Sequence, residues 1–392
     1  MPLQQLTPDI FFVGARDWDR RFFDELIPLP DGTTYNAYLI KGSEKIALLD
    51  TVDPVKEHVL LSNLENLNLP LIDYVISHHA EQDHSGTILA VLKKYPMAKV
   101  VTNAKCRTLL SEHLLIPDDK FIVIKDRETL SLGDKTLQFI FTPWVHWPET
   151  MSTLLLEDGI LFPCDFFGSH LATSEVFATD PAKVYSSAKR YYAEIMMPFR
   201  SIVRQNLEKV KSLNVKMIAP SHGPVHRDPN FILSAYEDWT SDRVKNEVVI
   251  PYVSMHGSTE AMVNYLIDRL IERGIAVQPF NLSKTDIGEL AMALVDTATV
   301  VVGSPTVILG AHPLAAYAVF LANFLRPKAR YLSIVGSYGW GGKMIEQLSG
   351  MIGNLTAEIL PPVIAKGYPK DADFQALVGL ADQILEKHHH LS

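Results

Sequence analysis

Directly after the apolar run Tyr74-Val75-Ile76 the chain reads His78-His79-Ala80-Glu81-Gln82-Asp83-His84. Six of these seven residues can ligate a metal or hydrogen-bond to a residue that does. A strand end holds the backbone still while residues 79, 81, 83 and 84 turn toward a common point. A chain built this way must bring the edge of a sheet to an interior polar site. The set mixes imidazole with carboxylate and has no thiolate nearby except Cys164. It suits iron or manganese and tolerates zinc, but matches copper(I) or an iron–sulfur cluster poorly. The plain alternative is a solvated turn rich in histidine by accident.

Three further apolar runs end in a potential ligand. Residues 139–145 deliver His146, residues 160–164 deliver Asp165, and residues 215–221 deliver His222 ahead of Gly223. Each alone reads as a turn or cap. Four together form the pattern of a site at one edge of a sheet. Around them the pattern predicts a first strand over 10–14, and a hairpin pairing 33–40 with 45–51. Helices are expected over 54–66, 86–95 and 105–113, the second with its N-terminal dipole toward the His-rich loop. Strands are expected at 99–102, 121–124 and 136–142. Residues 180–213 read as helical, started by Asp180-Pro181 and broken at Pro198. A last helix spans 231–246.

Around Glu247 the character changes, giving domains 1–247 and 248–392. Five strands then alternate with five helices, the beat of a doubly wound α/β sheet. The first strand–helix junction is Ser254-Met255-His256-Gly257-Ser258-Thr259. It lacks the Gly-Lys-Ser/Thr of a Walker loop and the Gly-x-Gly-x-x-Gly of dinucleotide binders. Hydroxyls and helix-start N–H groups without a lysine suit a monophosphate that stays bound, as in FMN. Ser304-Pro305-Thr306 and Ser337-Tyr338-Gly339-Trp340-Gly341-Gly342 supply candidate flavin walls. Tyr338 and Trp340 offer stacking surfaces, and the glycines allow close backbone approach.

At 392 residues the chain exceeds a single core and predicts two or three domains. A net charge of −9 argues against a nucleic-acid binder. No apolar run is long enough to cross a bilayer, and the first five residues do not open a signal peptide. Two cysteines make no disulfide framework, which points to a reducing cytoplasm. His388-His389-His390 read as native or as a tag remnant and do not count among the candidate ligands.

With these motifs in place the chain resembles the flavodiiron (A-type flavoprotein) family over nearly its whole length. His79-x-Glu81-x-Asp83-His84, His146-Trp147-Pro148, Asp165-Phe166-Phe167-Gly168 and Pro220-Ser221-His222-Gly223 match its motifs. The resemblance implies an N-terminal metallo-β-lactamase-like αββα sandwich followed by a flavodoxin-like domain that holds FMN. It implies that His79, Glu81 and His146 hold one iron, Asp83 and His222 the other, and that Asp165 bridges. His84 and His170 are then expected behind the ligands. Zinc hydrolases of the same fold usually carry His where Glu81 stands, and an oxygen donor there goes with iron and redox chemistry. The chain departs from its relatives after Ser304-Pro305-Thr306, where Val307-Ile308-Leu309-Gly310 replaces a common Ile-Asn-Asn.

The implied activity is reduction of O2 or NO at the di-iron centre with electrons passed through FMN. The competing readings are a hydrolase with an accessory flavodoxin domain, and a gas sensor without turnover. The resemblance also implies a head-to-tail homodimer, or a tetramer, in which one subunit's flavin serves the other's irons. No Cys-x-x-Cys pair follows residue 387, so the expected donor is a separate molecule such as rubredoxin or F420H2.

Overall fold

The computed structural model describes residues 4–391; residues 1–3, which belong to the start that does not read as a signal peptide, and residue 392 lie outside it. The chain divides into two compact units. One runs to Tyr192 and resumes over Phe199–Thr240; the other contains Ala193–Pro198 and everything from Ser241 onward.

The first unit is a four-layer sandwich. Its larger sheet orders the strands Gln5–Thr7, Ile10–Phe12, Tyr38–Lys41, Ile46–Leu49, Tyr74–Ile76, Lys99–Asn103 and Phe121–Ile124. The second sheet orders Thr129–Ser131, Thr136–Phe141, Met151–Leu155, Ile160–Phe162 and Met217–Ile218. The strands are apolar on both faces because both faces are covered. Leu39, Leu48, Val75 and Val100 face helices through Leu60, Leu64, Ile88, Val91 and Leu110. Their neighbours Ile40, Leu49, Ile76 and Val101 face the second sheet through Leu137, Phe139, Met151 and Phe162. Period-two alternation thus splits each strand between two cores.

Several expected elements differ. The strand over 33–40 is two strands, Thr33–Tyr35 and Tyr38–Lys41. They part at Asn36, whose Nδ2 donates to the carbonyls of Pro220 and Gly223 (2.7 Å each). The helix expected at 86–95 begins at Ile88, after a short helical turn, Gln82–Ser85, that carries Asp83 and His84. The long helical stretch is Pro181–Tyr191 and Arg200–Lys211, joined without interruption by a π turn, Tyr192–Met196, and a 3-10 turn, Met197–Phe199, so the break expected at Pro198 is a change of helical pitch. The helix expected to reach 246 is Pro229–Thr240. It ends where Arg204 Nε donates to the Thr240 carbonyl (2.9 Å). A small hairpin, Phe22–Phe23 with Ile27–Pro28, has no counterpart in the sequence pattern.

The second unit has a parallel sheet in the order Ala276–Asn281, Lys245–Tyr252, Thr297–Val307, Tyr331–Tyr338, then Glu358–Ile359 and Val363–Lys366. This 2-1-3-4-5 order is the flavodoxin-like one, with its switch point between the first and third strands. Helices Ser258–Ile271 and Asp371–His388 cover one face through Met262, Leu266, Leu377 and Ile384.

His388 belongs to this fold. It is 7% exposed, and its ring meets Asn246 Oδ1 and Thr299 Oγ1 at 2.7 Å each. Burial pulls its pKa down to about 4, so folding favours the neutral ring. Its contribution to stability is therefore present above pH ~6.5 and is lost as pH falls toward 4. His388→Ala is expected to cost about 1–2 kcal/mol at pH 7, because it strands two polar partners. Thermal unfolding at pH 7.5 and pH 5 checks this, and the variant should lose its difference from wild type at the lower pH.

Candidate metal and flavin sites

The four ligand-bearing loops all leave the sheets of the first unit at one edge and meet. His79, Glu81, His146 and Asp165 bring one donor atom each within 4.8 Å of one another, and Asp83, His84 and His222 form a second such group. Glu81 Oε2 lies 2.9 Å from His79 Nε2 and 3.0 Å from His146 Nε2. Asp83 Oδ2 lies 3.1 Å from His222 Nε2. Asp165 stands between the groups. Its Oδ2 is 3.6 Å from both His79 Nε2 and His146 Nε2, while its Oδ1 is 3.0 Å from His84 Nε2 and 3.4 Å from His222 Nε2.

Glu81 satisfies His79 and His146, but other atoms of the set face one another without satisfying one another. Both Asp83 oxygens, Asp165 Oδ2 and His84 Nε2 are buried and lack a hydrogen bond of acceptable geometry. Buried orphan donors of ligand type, aimed at common points, fit metal ions, which satisfy them without hydrogen-bond angles. The electrostatics agree. Burial alone would raise Asp165, yet the facing His84, His222 and His79 hold it well below the carboxylate range. Burial alone would lower His222, yet Asp165 and Asp83 push it up to about 10.

Outer contacts fix the rings. His79 Nδ1–H donates to Glu149 Oε1 (2.7 Å) and His222 Nδ1–H to the Thr34 carbonyl (2.6 Å), which leaves both Nε2 atoms facing inward. Tyr191 OH donates to Asp165 Oδ1 (2.8 Å). Asp50 accepts from His78 Nδ1 (2.7 Å) and Ser221 Oγ (3.2 Å) behind the cluster. His84, expected behind the ligands, sits within the second group. His170 stays outside both, bonded through Nδ1 to Thr33 Oγ1 (2.8 Å) and packed on the His222 ring at 5.0 Å. Glu81 and His146 are 13% and 17% exposed and mark the mouth. The Phe22–Pro28 hairpin lays Phe23 against His170 (5.2 Å) and His222 (6.3 Å). On its tip, burial together with Glu81 and Asp83 raises the pKa of Asp24.

Sequence reasoning misses Glu149, Tyr191, Asp50 and the Thr34 carbonyl. Asp50 follows an apolar run just as Asp165 does, and Glu149 closes the His146-Trp147-Pro148 loop, so both leave a signal. Tyr191 and a backbone carbonyl leave none.

In the second unit, a cavity of about 180 Å³ is lined by Ser254, Met255, His256, Ser258, Thr259, Pro305, Thr306, Ser337, Tyr338 and Gly339. A neighbouring cavity of about 330 Å³ shares Thr306 and Tyr338 and adds Gly341 and Gly342. Helix Ser258–Ile271 starts from Gly257 at φ +84° with no cap from that residue, which leaves first-turn N–H groups such as those of Ser258 and Thr259 for an anion beside the cavity. Ser254 Oγ accepts from the N–H of Gly257 and of Glu260 (3.2 Å each), which shapes the loop. Phosphate donors at one end and a wide slot beside them fit a flavin mononucleotide. Two expected wall residues lie elsewhere: Ser304 is buried with Oγ accepting from His312 N (3.1 Å), and Trp340 is 78% exposed and lines neither cavity.

The segment that departs from the family pattern is a hairpin. Thr306 pairs with Ala311 and Val307 with Gly310, and Ile308 and Leu309 form the tip at φ +46° and +68°. A two-residue turn demands this left-handed geometry, which Asn-Gly supplies with less strain. The tip side chains are 90% and 54% exposed.

Comparison with known proteins places the chain among relatives of one kind. The family described as ODP family beta lactamase matches residues 33–223. The chain is 36% identical to a nitric oxide reductase of Moorella thermoacetica over 97% of each chain. It is 31% identical to a coenzyme F420H2 oxidase of Methanothermobacter marburgensis, covering 97% of this chain and 98% of the relative. The rubredoxin oxygen:oxidoreductase of Desulfovibrio gigas superposes with a TM-score of 0.93 at 30% identity, covering 99% of this chain and 98% of that one. Sequence and fold agree along the whole chain, through both the ligand loops and the cavity-bearing sheet: it belongs to the flavodiiron protein family.

Proposed function

We propose that this protein reduces O2 to water or NO to N2O at a pair of iron ions, using electrons that reach them through FMN. The observation that carries the reading is Asp165, whose two oxygens face two separate donor groups. Two ferrous ions and a reduced flavin supply the four electrons that turn O2 and four protons into two waters, or the two that turn two NO and two protons into N2O and water. His79, Glu81 and His146 would hold one ion, and Asp83 with His222 the other. The 3.0 Å approach of His84 Nε2 to Asp165 Oδ1 supports counting His84 among the second ion's donors. Glu81 supplies oxygen where hydrolases of this fold carry imidazole, which favours iron over zinc.

Around the ions the chain orients and excludes. Tyr191 holds Asp165 Oδ1, Glu149 and Thr34 hold the imidazoles, and Phe23 keeps bulk water from the His222 side. Ser254, Ser258 and Thr259 with the first turn of their helix would take the FMN phosphate, and Thr306, Tyr338, Gly341 and Gly342 would flank its ring.

The partner reading is a head-to-tail homodimer fed by an external donor such as rubredoxin or F420H2. Exposed apolar side chains on the metal unit's hairpin region (Trp18, Phe22, Leu26) and on the flavin unit's loops (Met255, Ile308, Leu309, Trp340) support docking of the two kinds of surface. Among the described residues no helix is long and apolar enough to cross a membrane. Two buried free thiols, Cys106 and Cys164, support a reducing cytoplasm. Side-by-side O2 and NO consumption by the anaerobically pre-reduced protein tests the function. Rapid flavin reoxidation by at least one gas is expected, and stable reduced flavin under both would refute it.

A further inference from the structure

On the ligand assignment proposed above, the two metal positions have matching donors. Each takes one terminal carboxylate, two imidazoles and one oxygen of Asp165. What differs is the support behind them. His79 Nδ1–H donates to Glu149 Oε1 at 2.7 Å, and that carboxylate is fully buried. Glu149 Oε1 also takes the Ala80 N–H (3.1 Å), its Oε2 has no partner, and Asn103 Nδ2 pins its backbone carbonyl (2.6 Å). On the other side, His222 Nδ1–H donates to a neutral carbonyl, that of Thr34 (2.6 Å). Asp50 lies near His84, but its hydrogen bonds go to His78 and Ser221 and none joins it to the His84 ring.

A buried anionic acceptor draws on the Nδ1 proton more strongly than a carbonyl does and makes Nε2 the more electron-rich donor. A second contact acts in the same direction. Tyr191 OH donates to Asp165 Oδ1, the oxygen that faces His84 and His222, and so withdraws density from that side only.

We propose that Glu149 is a positioning residue that makes the two irons unequal, holding the ion beside His79 in its oxidised state while the ion beside His222 is reduced first. In each step one electron, from the reduced flavin or a chemical reductant, converts one ferric ion to ferrous. The proton stays on His79 Nδ1, and no bond is broken. The inference rests on the di-iron reading, and its test separates the two.

The test is a potentiometric titration of the iron- and FMN-loaded protein, followed by electron paramagnetic resonance of the mixed-valent state. Wild type should show two separated one-electron steps, with a mixed-valent signal between them. Glu149→Gln keeps the volume and an acceptor but removes the charge. Its lower-potential step should move up toward the other and its mixed-valent signal should shrink, while the FMN steps stay in place. Glu149→Asp keeps the charge and should restore part of the separation. Unchanged spacing in an iron-loaded Gln variant overturns the proposal. If Gln does not load iron, collapse of the two steps into one in an iron-loaded Asp variant, which keeps the charge, overturns it. Loss of iron from both variants overturns it as well, leaving Glu149 as scaffold. A wild-type protein with no di-iron signal refutes the underlying reading instead.

Discussion

Asp165→Ala is expected to lower gas turnover by at least about a hundredfold while FMN stays bound. That is more than the 10–100-fold typical of losing an outer-shell partner, because on the proposed assignment both ions would lose a donor. Asp165 Oδ2 addresses His79 and His146, and Oδ1 addresses His84 and His222, so no other side chain takes its place. The substitution also leaves Tyr191 OH without its acceptor and brings four imidazoles together with less negative charge. Iron should fall to one ion per chain or fewer. The flavin spectrum should persist, because the residues proposed to hold the flavin belong to the other compact unit. Iron analysis, flavin absorbance and O2 and NO uptake on one preparation check all three. Glu81→Ala should follow the same course, and full activity in that variant would contradict the ligand assignment.

Gly223→Ala is the expected large effect away from the ligands themselves. Gly223 has φ +76°, where any side chain is strained, and an added Cβ would meet Ser169 Oγ and stand 2.6 Å from the Ser169 carbonyl. Its N–H donates to Thr34 Oγ1 (2.7 Å) and its carbonyl accepts from Asn36 Nδ2 (2.7 Å), so the strain falls on the loop that carries His222. Overpacking and backbone strain together should cost about 2–4 kcal/mol. In a unit of this size that is a fall in Tm on the order of 10 °C. The ion beside His222 should be lost first. Thermal unfolding with metal analysis measures both.

The parts of this arrangement legible in the sequence are those where backbone geometry and residue chemistry coincide. A buried strand must end, and a His or Asp at one such end reads as a turn or cap; His79, His146, Asp165 and His222 are legible because four strand ends repeat the pattern. The parallel sheet of the second unit follows from the strand–helix beat, because parallel strands need crossover helices; its 2-1-3-4-5 order does not. What cannot be read depends on pairings across long separations. Tyr191 is one apolar-face residue of an ordinary amphipathic helix until Asp165 is placed beside its hydroxyl. The Thr34 carbonyl carries no sequence signature, and the break at Asn36 coincides with its amide bonding the His222 loop across a long sequence separation. Trp340 reads as a flavin wall because it is aromatic and flanked by glycines, yet the same glycines let the loop turn it outward. His388 sits in a terminal run that resembles a tag, yet Asn246 and Thr299, partners remote in sequence, hold it in the fold.

Two donor groups that share Asp165 around a pair of irons should keep both ions through anaerobic purification without chelator. Metal analysis with Mössbauer spectroscopy on such protein should find two iron atoms per chain in coupled, slightly unequal environments, together with one FMN. Zinc in both positions, or a single isolated iron in a protein that still consumes O2 or NO at full rate, would contradict that assignment.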